Sequence, residues 1–316
     1  MAFAVLLVIM VLLVGVVDRI QDVFRHTSGR IEEFREARRA FETITRTLSQ
    51  TTLNTYWDYV DSSGKARTSA NMANFTPATY ARFSELRFKT GDASALIGSG
   101  PNGGTLAGKA LVFQAPLGVA RTSSNQVLNG ALNTVGYYVE KCEDPLKPGM
   151  VAPGGPSRWR LFQMMEPAEN LTIYNKTSGN STTAAADFFD VTGANTFRDK
   201  LADNIVNLVF LVEYPDGNTV TQTYDYDSTP KGGATQGAME NNLPSSIKVA
   251  MIAIDAASAR RMEDEGIDVS ATGLFQNPEE FDKDLATYAK KFDDKFLKYQ
   301  IFTSAVKPKA SQFSVQ

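Results

Sequence analysis

The stretch LVFLVEYPDGNTVTQTYDYD, residues 208–227, sets the reading of the chain. Apolar and aromatic residues run from Leu208 to Tyr214, a turn cluster follows, and a β-prone run of Thr, Val and Tyr resumes at Thr219. Pro215 and Asp216 favour the turn, and Gly217 takes the position that needs positive φ. Residues 205–213 and 219–224 are therefore predicted as an antiparallel hairpin. Outward from it, further strands are expected at 85–89, 109–114, 135–141, 159–164, 171–174, 246–254 and 300–305. The run SIKVAMIAID has apolar residues on both faces towards its end and reads as an internal strand. Two helices accompany the strands. DAASARRMED, 255–264, is stopped at Gly266. The second opens at NPEEF, with Asn277 as cap, Pro278 at the first helical position and Glu280 where a capping box needs it. Phe281, Leu285, Tyr288, Phe292 and Phe296 line one face of that helix.

The 316 residues suffice for one large or two ordinary domains with a real core. Net charge is −3 and the pI about 5.4, with short charge runs of mixed sign, which points away from a nucleic-acid partner. One cysteine, Cys142, excludes an intramolecular disulfide framework and a cysteine-rich metal site. Gly, Asn, Ser and Thr are plentiful between 91 and 245, the mark of a loop-rich β protein, and Gly/Pro-rich linkers are expected at 98–104, 144–156, 175–183 and 227–242.

The N-terminus reads differently. Residues 1–17 contain no polar residue, and twelve of them are Leu, Ile, Val or Phe, worth about 4–7 kcal/mol in favour of a bilayer. As a helix they span about 25 Å, the short edge of a membrane crossing. Phe3, Leu6, Leu7, Ile9, Leu12 and Leu13 are the anchor residues. Behind them Ile20, Phe24, Thr27, Ile31, Phe34, Ala37, Phe41, Ile44 and Leu48 recur at spacings of three and four, one stripe of an amphipathic helix. The pattern predicts a continuous helix from the start to about Asn54, roughly 80 Å long. A coiled-coil seam fits less well, because Phe, Thr and Ala stand where Leu and Ile are preferred.

Chemistry is sparse. The one histidine, His26, lies on the predicted stalk rather than in a pocket of the head. Cys142 has no sequence neighbour suited to activate it. GSGPNGG at 98–104 lacks the Lys-Ser/Thr and the helix of a phosphate loop. Asp216, Asp225 and Asp227 would ligate Ca²⁺ only if their loops converge, and they lack EF-hand spacing. Trp57 and Trp159 read as core or stalk-to-head packing. Sequons at Asn74, Asn170, Asn175 and Asn180 matter only in a eukaryotic secretory pathway. No catalytic residue or cofactor is expected.

A greasy segment, an amphipathic stalk and a β-rich head together resemble a type IV pilin or type II secretion pseudopilin. AFAVLLVIMVLLVGVVDRIQ is similar to the later part of a prepilin hydrophobic segment. LVFLVEYPDGNTV, LPSSIKVAMIAIDAASARRM and YQIFTSAVKP resemble the head of the J-type minor pseudopilins. The large head and loop-rich middle also resemble the Verru_Chthon cassette protein C family of pilin-like proteins. The resemblance departs at the N-terminus, where the basic leader, the Gly before the cleaved bond and the Glu five residues beyond it are not visible. The expectation is that the true start lies upstream of Met1. Arg19, Arg25, Arg30, Arg35, Arg38 and Arg39 follow the apolar segment and none precedes it, a charge balance that on its own favours a cytoplasmic head. A missing basic leader would restore the opposite orientation.

The resemblance implies an α+β, pilin-like fold: a long N-terminal helix packed on a β-rich head with one or two antiparallel sheets and a C-terminal helix. Residues 1–17 would be the transmembrane part, 18–56 the stalk and 57–316 the head. It further implies a non-enzymatic minor subunit of a type IV pilus or type II secretion-like filament. The subunit would sit in the bacterial inner membrane with its head in the periplasm or in the filament. Its partners would be the lipid bilayer, other pilin-like subunits through the helix stripe, and a secreted substrate. The alternative is a membrane-anchored binding module that recognises a surface polymer or secreted substrate through loops 98–104 and 227–242. An anchored enzyme ranks last, since one histidine and one cysteine leave little to build a site from.

Overall fold

The computed structural model describes residues 34–122, 125, 130–145, 155–175, 189, 196–230 and 237–313. Their strands form three antiparallel sheets. Strands β1 (Tyr56–Val60) and β2 (Thr79–Phe83) make a separate two-stranded ribbon. A five-stranded sheet runs in chain order through β3 (Phe88–Asp92), β4 (Thr105–Pro116), β5 (Leu132–Cys142), β6 (Arg158–Glu166) and β7 (Phe197–Asp203). A four-stranded sheet comprises β8 (Ile205–Asp216), β9 (Thr219–Thr223), β10 (Ser246–Ile254) and β11 (Tyr299–Val306), ordered β11-β10-β8-β9. The opening hairpin is thus β8–β9. Asp216 pairs with Thr219, and the two-residue loop between them starts at Gly217 with φ 62°. That conformation matches the twist of the flanking strands and costs a glycine nothing. Strand β10 is internal, paired on both sides, as its two apolar faces predict.

Alternation along the strands divides the apolar residues between the two faces of each sheet, giving a central core and two outer ones. From β4 and β5, Leu111, Phe113, Val135, Tyr137 and Val139 face a central core, where they meet Leu208, Phe210 and Val212 of β8 and Val249 and Met251 of β10. The opposite face of the four-stranded sheet buries Val209, Leu211, Ala250 and Ile252 under helices α4 (Ala256–Asp264) and α5 (Phe281–Asp294). The opposite face of the five-stranded sheet buries Ala110, Val112, Tyr138 and Phe162 with the short helix α2 (Ala93–Ile97) and Phe189. The two sheets also join at an edge. Residues 224–228 run beside β3, with Thr90 N donating to Tyr226 O (2.9 Å) and Ser228 N to Phe88 O (3.0 Å).

The expected α+β class is corrected. Eleven strands in three sheets make the described residues mostly β, and the α-helices among them are short: α1 (34–48), α2, α3 (Thr172–Asn175), α4 and α5. Residues 1–33, where most of the expected long N-terminal helix falls, lie outside the described residues. Helix α1 also stops at 48, short of the expected Asn54. There the chain turns Thr-rich, and Thr51 directs both its amide (3.1 Å) and its hydroxyl (2.7 Å) to Leu48 O, a local alternative to another helical turn.

Smaller expectations shift as well. Residues 172–175 are a helical turn rather than a strand. Strands β1, β2 and β7 were not expected. Helix α4 is capped by Asp255, whose side chain accepts from Ser258 N at 2.7 Å. The NPEEF start is a 3₁₀ turn at Pro278–Glu280, where Asn277 accepts from Glu279 N and Glu280 makes no capping bond. Helix α5 ends at Asp294. Phe296 therefore leaves the apolar face, adopts φ 53° and is 85% exposed, while Leu297 is buried in its place.

Candidate functional site

Helix α1 is seated by its stripe. Ile44 and Leu48 are fully buried, Ala37, Ala40 and Phe41 nearly so, and Phe34 is half-buried against the same central core. Ala37 and Ala40 are small enough to bring the helix backbone close to the sheets, and Phe41 packs in a tilted pair against Phe302 of β11 with centroids 5.8 Å apart. Tyr137 of β5 sits beneath the helix, fully buried, and takes a hydrogen bond from Gln163 Nε2 at 2.9 Å. Burial pushes its phenol up to about 12, against the pull of Thr47 on the helix and of Gln163. Arg38, Arg39, Glu42 and Arg46 occupy the exposed face. Five of the predicted stripe residues, Phe34, Ala37, Phe41, Ile44 and Leu48, thus share one buried seam. Ile20, Phe24, Ile31, the anchor residues Phe3, Leu6, Leu7, Ile9, Leu12 and Leu13, and His26 lie outside the described residues. No helix among the described residues is long and apolar enough to cross a membrane.

The three aspartates proposed for Ca²⁺ are held apart. Asp227 pairs with Lys89 Nζ at 2.7 Å, and Asp225 lies 3.6 Å from Lys109 Nζ, which binds Asp92 more closely at 2.8 Å. Burial pushes the Asp227 carboxyl up, but its bonds from Lys89 and Thr229 together outweigh that and hold it below the usual carboxylate range. Asp216 is exposed at the end of β8. Among the described residues no three His, Cys, Asp or Glu side chains come together as a metal site. Cys142 is a free, buried thiol on β5, and burial, reinforced by Glu140, pushes it up to about 11.

Loop 98–104 is tied down rather than free. Glu140, fully buried on β5, accepts from Asn102 N (3.0 Å), Asn102 Nδ2 (2.9 Å) and Gly104 N (2.8 Å). A Cβ at position 104 would lie 2.2 Å from Lys141 O, so the loop can reach β5 only with glycine there. The other loop proposed for recognition is pinned at both ends. Thr229 N donates to Asp227, and Asn241 bonds Ser84 N and Arg82 O through its side chain.

Two surface features carry no signal of their own in the sequence. The β1–β2 ribbon places Trp57, Tyr59, Tyr80 and Arg82 on one face. Trp57 is 61% exposed, correcting its expected role in packing, and the Tyr59 and Tyr80 hydroxyls bond at 2.8 Å. The second feature is a groove at one end of the two sheets. It holds a recess of about 400 Å³ lined by Lys141, Arg158, Trp159, Asn204, Ile254 and Met262 among others. A neighbouring cleft of about 820 Å³ shares Lys141, Trp159, Asp268 and Val269 with it. Trp159 packs against both the central core and the core under α4 and α5. Strand register assembles the recess: Lys141 pairs with Trp159, and Cys142 with Arg158. Ile254 N donates to Asn204 O at 3.0 Å, drawing the β7–β8 turn to the end of β10. No family model matches the chain, and no curated protein matches its sequence.

Proposed function

We infer that the chain is a non-enzymatic subunit of a pilin-like filament of the type IV pilus or type II secretion kind. It is held at the bacterial inner membrane by residues 1–17 and presents its β-rich head outside the cytoplasm. The observation that carries this reading is helix α1. It follows the apolar run in sequence, buries its stripe in the head and keeps Arg38, Arg39, Glu42 and Arg46 outward. A segment so divided fixes the head to whatever the preceding residues are embedded in, and leaves a charged face for neighbouring subunits. Replacing Val8 or Val11 by Arg puts a charge at the centre of the apolar run, costing about 2.5–3.5 kcal/mol on the insertion scale. The variant is expected to leave the membrane fraction and to vanish from sheared filaments. A Val8→Arg chain that still pellets with membranes refutes the anchor, and a native chain absent from every filament fraction refutes the subunit role.

The groove beside Trp159 favours a second reading, a membrane-anchored binding module for a surface polymer or secreted substrate. Ligand binding by a chain found in no filament decides for it.

A further inference from the structure

We propose that the recess between β6, the β7–β8 turn, β10 and α4 binds a short peptide segment in which a carboxylate stands beside an aliphatic residue. The proposal does not depend on the filament reading. Three polar groups of the recess can each take a further partner. Asn204 is only 9% exposed, yet its side-chain Oδ1 accepts no hydrogen bond. The buried Nε of Arg158 donates no hydrogen bond, and its ion pair with Glu263 is long, at 3.9 Å. Lys141 forms no ion pair among the described residues, and its ammonium lies 5.9 Å from the Trp159 ring centroid. Of the two acids on the rim, Glu263 stands near Arg158, and Asp268 accepts from Ser270 N in its own loop at 2.8 Å. The recess can therefore take one further anion and one N–H or O–H donor.

The remaining wall decides between ligand classes. Ile254, Ala259, Met262, Ile267 and Val269 supply branched and thioether surface. Such a wall suits an aliphatic side chain and leaves the hydroxyls of a sugar acid without partners. A peptide answers all three demands at once: its carboxylate to Arg158 and Lys141, the adjacent N–H to Asn204 Oδ1, and a Val or Leu side chain to the apolar wall. A volume of about 400 Å³ takes one or two residues of this kind. The carboxylate can come from a free C-terminus or from an Asp side chain.

The test uses the full chain in detergent carrying Trp57→Phe, which leaves Trp159 as the sole indole. Three acetylated peptides are titrated by calorimetry and by indole fluorescence: Gly-Ser-Ala-Val-Leu with a free carboxylate, the same peptide amidated, and amidated Gly-Ser-Asp-Val-Leu. Galacturonate oligomers are the comparison. Binding of the first peptide but not the second assigns a C-terminal carboxylate, and binding of the third assigns an acidic side chain. In either case Arg158→Gln with Lys141→Gln should weaken binding by roughly tenfold or more. Asn204→Gly should weaken it by roughly fivefold, and its backbone is safe because φ there is 59°, a value glycine adopts freely. Both variants are checked for native far-ultraviolet dichroism. The proposal is overturned if no peptide binds at millimolar concentration, if only galacturonate binds, or if the folded variants bind peptide as tightly as the parent.

Discussion

Replacing Ile44 by Ala tests whether helix α1 is an integral part of the head. Ile44 is fully buried in the central core, in one cluster with residues of both large sheets. The substitution removes three carbons, worth about 2.4 kcal/mol at about 0.8 kcal/mol each. A cavity term adds to this, because sheets flanking the site relax only in part, so the loss should fall at about 3–5 kcal/mol. Ile44→Val removes one carbon and should cost about 0.5–1.5 kcal/mol. Glu42→Ala, on the exposed face two residues away, should stay within about 0.5 kcal/mol. Urea unfolding of the full chain in detergent, followed by tryptophan fluorescence and far-ultraviolet dichroism, reads all three. An Ile44→Ala loss no larger than that of Glu42→Ala would show that the head holds together without the helix, and the reasoning about its seat would fall.

Glu140→Gln should destabilise by about 1–3 kcal/mol, since a Gln amide leaves donors of loop 98–104 facing its own NH₂. Limited proteolysis should then nick that loop first, and unchanged cleavage would argue against its anchorage to β5. The Cys142 thiol, pushed up to about 11, should stay unreactive towards a disulfide reagent at pH 8 until denaturant is added; prompt labelling of the folded chain contradicts its burial. Asp227 carries a pH signature. Its folded-state carboxyl lies below its unfolded value, so its contribution is present above the unfolded pKa and lost as pH falls through the folded one. Asp227→Asn should therefore flatten the fall in stability below about pH 4 while lowering stability at neutral pH. A variant whose acid limb matches the parent would show that the Lys89 pair contributes nothing.

Elements that bury one or both faces were legible, and those that do not were not. Strands β8 and β10 announce themselves through Leu208–Val212 and Val249–Ile254, because the central sheet demands apolar residues there. Strand β7, Phe197–Asp203, is an edge strand whose residues are mostly part-exposed, so its FRDKLAD reads as loop. The ribbon strands carry aromatics on a face that stays in solvent, which removes the contrast that alternation relies on. The stripe of α1 was readable because a helical period needs only local residues. Its end at 48 depends on Thr51 folding back on Leu48 rather than on any Pro or Gly. The site level was harder for the same reason of range. Lys89 and Lys109, which claim Asp227 and Asp225, stand more than a hundred residues away. The recess at Trp159 draws on β5, β6, the β7–β8 turn, β10 and α4, and no single one of those segments carries its pattern.

The contact of Phe41 with Phe302 also bears on how the molecule comes into being. The two rings are about 260 residues apart in sequence, and β3 likewise finds its edge partner at 224–228 more than a hundred residues later. Contacts of such long separation make for slow folding, since loop closure must come before any reward. Until β11 arrives, α1 and the inner faces of both sheets expose the apolar surface they finally share. A chain built this way is vulnerable to aggregation while it waits. A pulse of newly made protein should stay protease-sensitive until Phe302 has cleared the ribosome.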